Sequence, residues 1–145
     1  MARVKYLFRK LFGKPKYVTY GKPSYDENGW VFLSVEKELV NYYCWAIRNL
    51  GVNIEPTRWP HITVVAGKYE QLPSYDIKLP KRVKIRYDGV IHEEGFYFWL
   101  VADCGWIHKF RRKNGLKPNL KFDPHITIGK RSISYGQERV RRPRS

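Results

Sequence analysis

The chain reads as an α+β protein built from two similar halves, and three observations predict this. A β-branched strand motif occurs twice, the same strand–helix run precedes each copy, and the helical periodicities are short and closed by glycine. The motif is Pro60-His61-Ile62-Thr63-Val64, and it returns sixty-four positions later as Pro124-His125-Ile126-Thr127-Ile128. Each copy runs on to a glycine and a lysine, Gly67-Lys68 and Gly129-Lys130. Side chains alternate along a strand. His61 therefore shares a face with Thr63, and His125 with Thr127, while Ile62, Val64, Ile126 and Ile128 point into a core.

The remaining elements follow in order. Val4, Leu7, Phe8, Leu11 and Phe12 recur at helical spacing opposite Arg3, Lys5, Arg9, Lys10 and Lys14. They predict a basic amphipathic segment over 1–16, stopped by Gly13 and Pro15, which docks on its own domain or lies on a membrane interface. Residues 17–28 carry Tyr17, Tyr20, Tyr25, Gly21 and Pro23 and read as a loop, with a short strand at 17–19. Trp30–Val35 reads as the first core strand. A helix over 37–50 buries Leu39, Tyr43, Ile47 and Leu50 and ends at Gly51 in a left-handed cap. A turn leads to the first motif strand. Pro73 and Pro80 punctuate a connection over 69–80. Alternation predicts a half-exposed strand over 81–92, and Glu93-Glu94-Gly95 a turn. Phe96–Val101 is apolar on both faces, a helix covers 105–114 with Trp106, Ile107 and Phe110 inward, and a loop through Asp123 delivers the second motif. The spacing is 31 residues from Trp30 to His61 and 29 from Phe96 to His125. Such a repeat places one His/Thr pair in each half.

Two imidazoles near neutral pKa can serve as one general base and one general acid. Two hydroxyls can hydrogen-bond the anion on which they act. A single H-x-T is usually a half-buried histidine satisfied by a hydrogen bond, but a matched pair half a domain apart is harder to explain so. Zinc ligation is the other alternative. It calls for a third His, Cys or carboxylate, and neither motif supplies one on that face, Asp123 excepted.

With these two motifs the chain resembles the 2H phosphoesterase superfamily, which includes the LigT-like RNA 2′,3′-cyclic phosphodiesterases. It is similar also to the phage anti-CBASS phosphodiesterases that cut cyclic oligonucleotide messengers. The resemblance spans roughly residues 29–131. It implies a bilobal fold of pseudo-twofold related lobes, with a metal-independent, cofactor-free site in the cleft between them. One of His61 and His125 would be the base and the other the acid, in an order the sequence does not assign, and Thr63 and Thr127 would bind the phosphate. The substrate would be a cyclic nucleotide or cyclic oligonucleotide messenger, or an RNA 2′,3′-cyclic phosphate end. Lys68 and Lys130 could attract phosphate; Tyr97, Trp99, Tyr25 and Trp30 could stack on a base. His92 and His108 lack a threonine partner and read as surface or structural residues.

Composition bounds these readings. At 145 residues, 43% hydrophobic and 16% aromatic, the chain is one globular domain with a sizeable core, assigned to 17–130. Two cysteines, Cys44 and Cys104, and no secretory signal predict a reducing cytoplasmic interior, the host cytoplasm if the chain is viral. No apolar run is long enough to span a membrane. The net charge of +15 sits largely at the ends: six Lys/Arg and no acid in 1–16, five Arg and one Glu in 131–145. The body keeps 17 basic and 12 acidic residues. Basic ends predict contact with nucleic acid, and 131–145 reads as a disordered tail. A non-catalytic basic nucleic-acid-binding protein on the same fold is the competing function; it would need charge and stacking but not two histidines.

Overall fold

Residues 17–73, 77–120 and 122–132 are described by a computed structural model of the chain. The segment 1–16 and the tail beyond residue 132 lie outside the described residues. Seven strands and two helices make up the described part: β1 (Tyr17–Tyr25), β2 (Val31–Ser34), α1 (Lys37–Asn49), β3 (Ile54–Pro56) and β4 (His61–Val65) come first. β5 (Val83–Glu94), β6 (Tyr97–Asp103), α2 (Gly105–Lys113) and β7 (His125–Arg131) follow. The architecture is mixed α+β, with every strand pair antiparallel. The sheet order is β3-β7-β6-β5-β1-β2-β4, and the sheet curls so that β4 and β7 touch although five places apart in it.

The two halves repeat in their pairing. β1, β2 and β4 are successive neighbours with α1 between β2 and β4; β5, β6 and β7 are successive neighbours with α2 between β6 and β7. The likeness extends to irregularities. A register shift lies between Val31 and Phe32 on β2, and another between Phe98 and Trp99 on β6. Val35 N–H donates to the Pro60 carbonyl and Ala102 N–H to the Pro124 carbonyl, each at 2.9 Å. Each motif proline is thus held by the end of the strand before its helix.

Core and helices follow the predicted periodicities. Leu39, Val40, Tyr43, Cys44 and Ile47 are the buried face of α1; Leu50, expected with them, is 80% exposed past the helix end. Ile107 and Phe110 anchor α2. Gly51 and Gly115 take positive φ after the helices, as left-handed caps require. Both thiols are free and buried, and burial raises their pKa values, which makes them packing residues. No helix among the described residues is long and apolar enough to cross a membrane.

Three expectations need correction. Residues 17–25, read as a loop with a strand at 17–19, form one nine-residue strand at the centre of the sheet. Gly21 is no breaker there: a Cβ would lie 2.7 Å from Ile85 Cδ1 and 3.0 Å from Leu33 Cβ, so a glycine suits the crowded passage of β1 between β5 and β2. Residues 54–56, read as a turn, pair with β7. The turn expected at 93–95 comes later, because β5 runs to Glu94 after a register shift around Asp88–Val90 absorbs extra residues.

Gly129 lies directly against the backbone of β3. A Cβ there would stand 2.3 Å from the Glu55 carbonyl oxygen and 3.0 Å from Pro56 Cα. Both obstacles are backbone and cannot turn aside. Gly129→Ala should destabilise by about 2 kcal/mol or more, measured as a lower urea midpoint at constant m. Gly105→Ala, whose Cβ would meet nothing, should be neutral or gain a few tenths of a kcal/mol.

Candidate functional site

The motif strands alternate as their residues dictate. Ile62, Val64, Ile126 and Ile128 are 0% exposed, whereas His61, Thr63, His125 and Thr127 are half-buried on the opposite face. The register shows this to be one face throughout. Residues directly opposed in an antiparallel pair point to the same side. Ser34 opposes His61 and Phe32 opposes Thr63; Val101 opposes His125 and Trp99 opposes Thr127. A large aromatic residue therefore stands beside each motif threonine.

The histidines are held alike. His61 Nδ1 lies 2.8 Å from the Trp59 carbonyl and His125 Nδ1 3.1 Å from the Asp123 carbonyl, each two residues upstream. A carbonyl oxygen only accepts, so Nδ1 carries the hydrogen in both rings, and Nε2 is the basic nitrogen of the neutral form. Such a ring can take a proton at Nε2, or give one from there once charged. Packing fixes His61 further. The Trp59 ring stacks on it at 4.5 Å and Phe32 meets it edge-on at 5.0 Å, while Trp59 Nε1 donates to Ser34 Oγ at 3.2 Å.

Thr63 from the first motif and His125 from the second line one groove of about 930 Å³. Its other walls include Tyr69, Phe122, Asp123 and the pair Glu70 and Arg111. His61 and Thr127 are not among its lining residues. Arg111 is 1% exposed, and its guanidinium makes four hydrogen bonds among the described residues. Its Nε donates to the Lys117 carbonyl at 2.8 Å, and Nη1 donates to the Val64 carbonyl at 3.0 Å and to Glu70 Oε1 at 2.8 Å. Nη2 pairs with Glu70 Oε2. Glu70 Oε1 also accepts the Ala66 N–H at 3.1 Å. Nothing in the sequence signalled this pair, since its members are 41 positions apart.

The predicted binding residues are scattered. Lys68 is exposed beside Tyr69, its Nζ 5.5 Å from that ring's centroid, and Lys130 Nζ lies 3.9 Å from Glu55 Oε2. Tyr97 is 56% exposed and opposes Lys130. Trp99 is buried, and its ring stacks on His92 at 5.8 Å, so it presents no open face for a base. Tyr25 uses its hydroxyl on the Ile77 carbonyl, and Trp30 stacks on Phe32. His108 Nδ1 bonds the Pro118 carbonyl at 2.9 Å, a structural role. His92 shares a face with Trp99 and Thr127 and belongs to the site's surroundings. Trp59 was missed as well; its place two residues before His61 was the available signal. Among the described residues no three His, Cys, Asp or Glu come together as a metal site.

Comparison with protein-family models, curated proteins and solved structures finds no match to this chain.

The Arg111 hydrogen bonds hold the Glu70 carboxyl below its ordinary pKa of 4.5, against the opposing effect of burial. A carboxylate with a depressed folded pKa adds stability above its unfolded pKa and loses it as pH falls through the folded value. Glu70→Gln should therefore be less stable than the parent at pH 7 by about 2 kcal/mol. Urea midpoints taken downward from pH 7 should show that gap closing as the pH falls below the ordinary value of 4.5 and through the lowered folded one.

Proposed function

We propose that the chain is a metal-independent phosphodiesterase acting on a nucleotide phosphodiester through paired histidines, on two lobes that meet in a cleft. The observation that supports it best is the identical tethering of His61 and His125 through Nδ1, each beside a threonine on the same face of the sheet. The groove shared by Thr63 and His125 supports a common substrate for the two motifs. In this reading the neutral imidazole takes a proton at Nε2 from the attacking water or ribose hydroxyl as oxygen bonds to phosphorus. The protonated imidazole gives its Nε2 proton to the departing oxygen as the other P–O bond breaks. Thr63 and Thr127 donate to non-bridging oxygens, where each donor can lower the barrier by roughly 2–4 kcal/mol. The substrate is a cyclic nucleotide, a cyclic oligonucleotide messenger or an RNA 2′,3′-cyclic phosphate end.

The test is hydrolysis, with EDTA present, of 2′,3′-cyclic mononucleotides, RNA ending in a cyclic phosphate, and cyclic di- and trinucleotides. His61→Ala and His125→Ala should each lower turnover by about 10²-fold or more, and the parent should give a bell-shaped pH–rate profile. Turnover indifferent to both substitutions, or none of any substrate, would leave the non-catalytic nucleic-acid binder as the better account.

A further inference from the structure

The register that aligns the motifs also fixes what lies between them on the same face. Lys22 on β1 opposes Ser34, which opposes His61. On the next strand Lys84 opposes Tyr20 and Arg86 opposes Val18. Arg86 also opposes Asp103 on β6, two positions along from Val101, the residue opposite His125. Lys22, Lys84 and Arg86 thus share the face of the histidines, and all are exposed. Arg82 joins them, with its guanidinium carbon 4.3 Å from the centroid of the Tyr20 ring. None of the four cations makes an ion pair with a carboxylate among the described residues. Lys84 and Arg86 are committed to this face, because Val83 and Ile85 anchor the other face of β5 in the core. A concavity of about 350 Å³ between Lys84, Arg86, Asp103 and Trp106 adjoins the strip.

We propose that this strip binds single-stranded RNA, its phosphates crossing the middle of the sheet over Lys22, Lys84 and Arg86, with Tyr20 offering a ring to a base. Charges two residues apart on a strand stand about 6–7 Å apart, a row suited to successive backbone groups. Cations interleaved with an aromatic ring are what a single strand uses. A membrane surface would call instead for an apolar helix face beside the charges. As a substrate assignment the proposal rests on the phosphodiesterase reading; as a binding site it stands apart from it.

The experiment is fluorescence anisotropy of a labelled 2′-O-methyl RNA about a dozen nucleotides long, titrated with the full chain at several salt concentrations. The double variant Lys84→Ala/Arg86→Ala should weaken binding about tenfold and shrink the slope of log K against log salt by about 1.4, two lost contacts on a single strand. Lys109→Ala/Lys113→Ala, which removes equal charge from exposed positions on α2, should match the parent. Three results would overturn the proposal. They are an unchanged slope in the first variant, equal losses in both variants, or binding to phosphatidylserine vesicles without binding to the RNA. Hydrolysis of a 2′,3′-cyclic mononucleotide, run in parallel, reports on the histidines alone, so failure there is distinguishable from failure of the strip.

Discussion

Arg111 joins three pieces of chain that must meet for the groove to exist. It leaves α2, in the second half, and spends its guanidinium on the Val64 carbonyl of β4, on Glu70 beyond β4, and on Lys117 at the head of the loop to His125. β4 is an edge strand, and an edge carries unpaired backbone groups. Taking the Val64 carbonyl closes part of that edge with a side chain from the other half. A buried ion pair adds little net stability, because desolvation offsets most of the attraction. Its geometry is demanding, however: four acceptor contacts fix the guanidinium plane, and hydrocarbon side chains of equal volume would fix none of them.

The first half answers this contact with a weaker one. Cys44 on α1 lies 3.9 Å from the Ile128 carbonyl of β7, as Arg111 on α2 bonds the Val64 carbonyl of β4. Each helix therefore addresses the motif strand of the other half, at the matching carbonyl. The halves match in pairing order, in the register shift beside each motif and in the tether of each histidine. They differ where it matters chemically: Trp59 stacks on His61, while Asp123 occupies the matching position before His125. The two imidazoles thus differ in their upstream neighbour, an aromatic ring stacked on His61 and an aspartate whose carbonyl tethers His125.

Much of this was legible because it is local. Strand alternation put His61 and Thr63 on one face, helical spacing gave α1 and α2, and glycine marked both helix ends. What escaped depends on contacts distant in sequence. Gly21 and Pro23 look like breakers until Ile85 and Leu33 are seen crowding the strand from both sides. β3 is too short to carry a period and exists because β7 pairs with it. Trp99 was legible as an aromatic on a strand, but its burial against His92 needs the register of β5 and β6. The Arg111–Glu70 pair has no local signature at all.

Charge shows the same division between what composition reveals and what topology adds. Counting along the chain assigns most of the excess to the two ends, and the body looks nearly balanced. The sheet unbalances it. Strand alternation sends Val83 and Ile85 inward and so commits Lys84 and Arg86 outward, while antiparallel pairing sets Tyr20 and Lys22 on that same side. Three of the body's acids are engaged away from the strip: Glu70 is spent on Arg111, Glu55 lies beside Lys130, and Glu93 pairs with Arg131, while Asp103 faces Arg86 without an ion pair among the described residues. A local excess of cations remains on the face that carries both histidines. An anion drawn to that face is guided by a field that does not need the ends of the chain.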